Sequence, residues 1–169
     1  MDIEIRQVRP DEPEELEAVG RLTTEVYVGG GFIDPDAAYV RKLTDTARRA
    51  HDAEVWVAVL DGEVIGSVTF CPVGSPYREI GRNDEAEFRM LVVSPAARGR
   101  GIGQALVELC VTRARELGYA GIRMSTMDKM SSAHRVYERL GFTRAPHDDW
   151  SPVPGVNLLA YSAPLVPPD

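Results

Sequence analysis

A chain of 169 residues that is 44% hydrophobic and carries two tryptophans can bury one real core, and nothing in it calls for a second domain. Its formal charge of −7 excludes the basic surface that general nucleic-acid or anionic-membrane binding needs, and it favours a cationic partner such as an amine. With two cysteines, no apolar run of membrane-spanning length, and no basic or apolar signal region in MDIEIRQVRPDEPEE, the expectation is a cytoplasmic protein without a membrane segment.

Ile3, Ile5 and Val8 alternate with polar residues, which predicts a half-buried first strand. A helix follows from an N-cap acid at Asp11, with Pro13, Glu14 and Glu15 in its first turn. Its inward face is Leu16, Val19, Thr23, Val26 and Tyr27, and Gly29 to Gly31 end it. Asp34-Pro35 opens a second helix, with Tyr39, Val40, Leu43 and Ala47 inward and Arg41, Lys42, Arg48 and Arg49 in water. EVWVAVL, residues 54–60, reads as a buried strand, Asp61-Gly62 as a tight hairpin turn, and Glu63 to Cys71 as its partner, with Gly66 at a bulge or close approach.

After a polar connection over 74–84 comes the stretch on which the rest is organised, EAEFRMLVVSPAARGRGIGQALVELCVTRAREL from Glu85 to Leu117. It reads as a strand, a Ser-Pro turn, a loop with glycines among arginines, and an amphipathic helix that Gly118 caps. GIRMST, 121–126, is the next strand and MDKM a loop. Ser131 or Ser132 then caps a short helix with Ala133, Val136, Tyr137 and Leu140 on one face, stopped by Gly141. Phe142-Thr143 begins another strand, HDDWSPVPG is a connection, VNLLAYSA (156–163) is the last strand, and 163–169 is a tail.

The glycine loop has a physical use. Glycines let the main chain come close to a ligand and turn its N–H groups to one point, and the helix after it adds its positive end, which makes a seat for phosphate or pyrophosphate. The dinucleotide pattern G-x-G-x-x-G fails here, because counting from Gly99 ends on Gln104 and counting from Gly101 ends on Leu106; no Gly-Lys-Ser/Thr follows for a P-loop. What stands is R-x-x-G-x-G, as Arg98, Gly101 and Gly103, between strand and helix.

That motif resembles the acetyl-CoA signature of the GNAT N-acetyltransferase superfamily, and two later landmarks agree with it: the A-x-x-x-Y step from Ala133 to Tyr137, and Leu140-Gly141-Phe142. The resemblance covers nearly the whole chain as one domain, 1–169. It implies an α/β (α+β) fold: a mixed, mostly antiparallel sheet of about seven strands flanked by about four helices. It implies that acetyl-CoA binds as cosubstrate along Leu91, Val92, Val93, Arg98, Gly99, Arg100, Gly101, Ile102, Gly103, Ser131 and Ala133, with the pantetheine arm lying beside the central strand where that strand parts from its neighbour after residue 126. Ser131 stands where family members often carry Asn. The helices on either side of Gly29–Phe32 would wall the acceptor site, and a homodimer is possible.

The implied activity is direct transfer of an acetyl group to a primary amine in a ternary complex, on a small molecule; a protein or peptide acceptor and a non-catalytic CoA-binding regulator are the alternatives. An alkyl ammonium with a pKa near ~10.4 must first lose a proton. Glu87 is the expected base, eleven residues before Arg98, the spacing of the glutamate in the histone-acetylating branch. The same letters fit a strand carboxylate neutralised by Arg89, and Asp84 and Glu85 are weaker stand-ins. Tyr137 is the expected general acid, although its face with Ala133, Val136 and Leu140 also suits a core aromatic. Cys71 and Cys110 read as buried thiols, and His51 and His134 as solvated. His147, beside Asp148, Asp149 and Trp150, fits an acceptor contact, a metal ligand or a plain surface loop. No metal is expected, and no G-x-S-x-G elbow points to a hydrolase.

Overall fold

The computed structural model describes residues 2–165. Seven strands form one sheet in the order β1-β2-β3-β4-β5-β7-β6. They are β1 (Glu4–Gln7), β2 (Glu54–Leu60), β3 (Glu63–Cys71), β4 (Glu85–Val93), β5 (Gly121–Met127), β6 (Thr143–Arg144) and β7 (Leu158–Pro164). Every pairing is antiparallel except β4 with β5, so the sheet is mixed and mostly antiparallel as expected. The β2–β3 hairpin turns at Asp61 and Gly62, both with positive φ. Its register slips between Ala58 and Val59, which leaves Ile65 as the extra residue beside Gly66. A Cβ on Gly66 would lie 2.9 Å from the Ile102 side chain, so the bulge and the close helix approach fall at one residue.

Five α-helices flank the sheet, one more than expected: α1 (Pro13–Thr24), α2 (Val40–Thr44), α3 (Thr46–Asp52), α4 (Ile102–Glu116) and α5 (Ser131–Arg139). The extra one arises at Asp45. Its backbone leaves the helical region (φ −84°, ψ 72°) and its carboxylate accepts the Arg48 N–H, capping α3 and rotating that helix relative to α2. Ala47 therefore faces solvent and Arg49 is buried, the reverse of an unbroken helix. Arg49 is held there by donating to the Lys42 and Leu43 carbonyls at the end of α2, 2.6 and 2.8 Å away.

Four further boundaries differ from expectation. Asp11 caps nothing; the Glu15 carboxylate accepts the Arg9 N–H and both arms of the Arg6 fork, which ties the first turn of α1 to β1. α1 runs on into a π-helical turn, Glu25–Gly29, before the glycines stop it. Ser131 and Ser132 do not cap α5, whose N-cap is Met130. At the other end Ala163 and Pro164 belong to β7, and Leu165 is buried with its N–H donating to Ala120 O; residues 166–169 of the expected tail lie outside the described residues.

On one face of the sheet, α4 buries Ile102, Leu106, Val107, Cys110 and Ala114 against Ala58, Phe70 and Phe88. Each large apolar side chain buried this way contributes about 1.5–3 kcal/mol. On the other face, Leu22, Val26, Tyr27 and Leu43 from α1, the π turn and α2 cover Met90 and Val92. Both cysteines are buried and free, and burial pushes the Cys71 thiol up to about 12.

Candidate functional site

Two irregularities in β4 shape its middle. Thr69 pairs with Arg89 and Ser67 with Val92, so Met90 and Leu91 together oppose Val68; Met90 takes a left-handed backbone, φ 57°. The bulge breaks the alternation. Phe88, Leu91 and Val93 fall on the α4 face, while Met90 and Val92 fall opposite with Arg89, so Glu87, Arg89 and Leu91 do not share the one side that regular alternation predicts. β4 pairs with β5 only from Glu85↔Gly121 to Phe88↔Met124. Beyond that the two strands part, two residues earlier than expected, and the main chain of β4 from Arg89 onward has no strand partner on that side.

Mainly on the α4 face a groove of about 410 Å³ runs from this gap to the start of α4, and Val26 and Phe32 from the other face also line it. Leu91, Val92, Val93, Arg98, Gly99, Gly101, Ile102, Gly103, Ser131 and Ala133 line it, which is the expected cofactor set without Arg100. Arg100 is exposed and outside the lining. Gly99 and Gly101 have φ +84° and +76°, values that admit glycine and strain other residues, and Gly101 is the N-cap of α4. The groove therefore has the main-chain amides, the positive helix end, and three cations, Arg98, Lys129 and Arg139, that a pyrophosphate-bearing molecule requires. Sequence reading missed Lys129 and Arg139, and with them Val136, which it placed in the core; the three-residue steps along α5 from Ala133 to Val136 and from Val136 to Arg139 were the available signal, and Lys129, in the loop before α5, offered none.

On the opposite face lies a narrow cavity of about 20 Å³, lined by Tyr27, Tyr39, Arg89, Met90, Ser125 and Thr126, with Met127, Pro152, Val156 and Leu158 closing it. Tyr137 lines neither the groove nor the cavity and belongs to the core cluster, next to Val136 of the groove. It is 2% exposed, its ring lies about 6 Å from those of Phe88, Phe142 and Tyr161, and its hydroxyl bonds to the Thr126 side chain in the parted strand. Burial pushes the phenol above its usual value against that hydrogen bond, which keeps it protonated at any ordinary pH. The ring fills the core, as the core-aromatic reading expects, and the oxygen meets Thr126, which lines the cavity.

Glu87 is placed differently. It is 0% exposed, lines neither cavity, and its carboxylate accepts the N–H groups of Glu79, Ile80 and Gly81 at 2.7–3.1 Å. Burial pushes this carboxyl up, while those amides and Arg89 pull the other way. Nor does Arg89 pair with Glu87: its ion pair is with Glu79 at 3.5 Å. The physical reason is the 74–84 connection, which folds over Glu87 and brings its amides to the carboxylate.

The remaining residues have structural partners. Arg123 clamps the paired half of β4 and β5, donating to Glu85 at 2.9 and 3.0 Å and to Asp148 at 2.8 Å. Burial raises the Glu85 carboxyl, but Arg123 and the Arg82 amide outweigh it and hold it below its usual range. Asp84 gives its carbonyl to Ala120 N–H. His51 is exposed beside Asp52, and the His134 ring meets Met127 O at 3.0 Å, so it is more enclosed than expected. His147 is exposed in a short turn, and among the described residues no group of three or more His, Cys, Asp or Glu is arranged to hold a metal ion. No described helix is long and apolar enough to cross a membrane.

Residues 16–142, the stretch that carries the parted central strand, the glycine seat before α4 and the groove, match the model of the acetyltransferase (GNAT) family. The chain belongs to that family. It is 36% identical over 105 residues to the rat protein N-acetyltransferase family 8 member 2, covering 62% of this chain and 45% of that one. It is 30% identical over 139 residues to the mycothiol acetyltransferase of Cellulomonas flavigena, covering 74% of this chain and 38% of that protein. The chain thus spans less than half the length of these curated relatives. YncA of Salmonella typhimurium, described as an acetyltransferase and solved with its cofactor acetyl-CoA, superposes on it with a TM-score of 0.70 at 20% identity, over 97% of this chain and 94% of that one. GNAT membership accounts for the fold.

Proposed function

We propose that this chain is an acetyl-CoA-dependent N-acetyltransferase that passes an acetyl group to a primary amine by direct attack, with the amine a small molecule. The observation that carries this is the gap between β4 and β5, which the groove reaches from one face and the narrow cavity from the other. The amides from Gly99 to Gly103, with Arg98, Lys129 and Arg139, hold the diphosphate and phosphate charges of the cosubstrate. Leu91 to Val93 present unpaired main chain to its arm, much as an edge strand receives another. An amide of that segment donates to the carbonyl oxygen as it gains charge.

The amine nitrogen, once neutral, attacks the thioester carbon; the C–N bond forms, the C–S bond breaks, and its electron pair stays on sulfur. Tyr137 hands its proton to that thiolate. The proton shed by nitrogen returns to the tyrosinate through water, which closes the balance. Glu87, with its oxygens taken by three amides, acts in this reading as the clasp of the 79–81 turn, and water takes the amine proton. Pro152, Val156 and Leu158 close over the cavity, whose about 20 Å³ admits only the end group of an acceptor, and this supports a small molecule.

Isothermal titration with acetyl-CoA, followed by a thiol-release screen over an amine panel, tests the reading. Binding with release on some amine supports it. Binding without release on any would make the chain a CoA sensor, and no binding would remove the acyl-transfer account altogether.

A further inference from the structure

The one charged side chain lining the acceptor-side cavity is a cation, Arg89, in a protein whose net charge is −7. We propose that the acceptor amine also bears a carboxylate, and that Arg89 binds it. This rests on the acyl-transfer reading of the same site and names its substrate class.

Arg89 is 5% exposed and carries five N–H donors. Two are used, one by Tyr77 O at 3.0 Å and one by the Tyr39 hydroxyl at 2.9 Å. Glu79 stands at 3.5 Å, beyond hydrogen-bond length for such a pair, and is 31% exposed, so water screens it. Arg123, on the neighbouring strand, shows what a structural arginine looks like here: it meets Glu85 twice and Asp148 once, all within 3.0 Å. Arg89 has no such carboxylate, and among the described residues its remaining donors have no acceptor. A planar carboxylate entering the cavity supplies one, in the two-pronged geometry a guanidinium favours.

The other polar liners agree. Tyr27, Tyr39, Ser125 and Thr126 bring hydroxyls that can donate, and no carboxylate lines the cavity to hold an ammonium. An ammonium without an acid group would meet net repulsion from Arg89, offset only by Glu79 at 3.5 Å and the buried Glu87, neither of which lines the cavity. One with a carboxylate exchanges that repulsion for an ion pair, while the nearby cation still favours the neutral amine that attack requires. The carboxylate end therefore lies at Arg89 and the nitrogen toward the gap at Met90.

The test compares matched acceptors on the wild-type protein: α-, β- and γ-amino acids, their amides, and the amines left by decarboxylation. The carboxylates should be acetylated with kcat/KM at least about tenfold above their amides, the scale of one charge-assisted contact. Arg89→Gln should erase that preference through the acceptor KM while the acetyl-CoA KM stays put, and Arg89→Lys should keep part of it. Titrating the CoA-loaded wild-type protein with N-acetylated amino acids and their amides reads the same preference without turnover or mutation. Equal binding of acid and amide, binding of neither, or equal kcat/KM overturns the proposal. A preference for the acid in binding, with no turnover of any amine, sinks the acyl-transfer reading alone.

Discussion

The two cavities that meet at the gap are built in opposite ways. The α4-face groove draws its seat from one run, Arg98 to Gln104, and its far wall from a second, Lys129 to Ala133 with Val136 and Arg139 after it, so most of its neighbours in space are neighbours in sequence and only Val26 and Phe32 come from far off in the chain. The opposite cavity takes side chains from the π turn, the α2 entry, β4, β5 and the 152–158 segment, far apart in the chain. Binding a phosphate carrier is main-chain work that a short motif can specify, whereas the acceptor wall is side-chain work settled only by tertiary packing.

Breaking the division at its border should have the largest effect. Tyr137 adjoins both sides, and Tyr137→Phe should lower kcat by about 100-fold, the scale of one general acid, with acetyl-CoA affinity by titration unchanged. An unaltered kcat would take Tyr137 out of the chemistry and leave only its ring. Next comes the groove alone. Gly101→Val forces a branched side chain into a left-handed position, about 1–2 kcal/mol of strain that the loop relieves by leaving the seat; acetyl-CoA Kd should rise roughly 5- to 30-fold while acceptor preference in any residual turnover is kept.

The acceptor side sharpens through Glu87. Glu87→Gln turns an amide NH₂ toward three N–H donors, and should cost about 2 kcal/mol, or a Tm lower by about 4–8 °C. A pH–rate profile that stays in place supports the clasp, and a displaced one restores Glu87 as base. The smallest effect belongs to the Arg123 clamp below both cavities. Because the folded Glu85 carboxyl lies below its ordinary 4.5, its stabilising share is complete above that value and is lost as pH falls through the folded one. Arg123→Gln should flatten that part of the acid-unfolding curve, and an unchanged curve would mean that the clamp carries no net stability.

Legibility follows the same border. The Asp61-Gly62 hairpin, the Gly99–Gly103 seat and the α4 stripe were readable because each is a local rule: positive φ, an amide cluster, a 3.6-residue period. Arg49 was not, because its burial follows from a helix break at Asp45, and aspartate sits as readily on a wet helix face as at a cap. Glu87 misled for a related reason. Its distance from Arg98 is a feature of the chain, but whether its oxygens are free depends on where the 79–81 amides fold. Arg89 reads in sequence as a partner for its neighbour carboxylate; only the packed structure shows donors left over beside a cavity.

Met90 sets the parity of the central strand. Because one additional residue sits there, the positions before it count odd where those after it count even, so Leu91 is handed to the groove rather than to the acceptor wall. Drawing the bulge straight with Met90 kept in the ladder would swap the addresses of everything downstream, turning the Val92 side chain toward the coenzyme and that of Val93 toward the amine; deleting Met90 would only take out the extra residue and leave those addresses as they are. A strand of perfect regularity would fold into much the same sheet and have its two substrates assigned to the wrong doors.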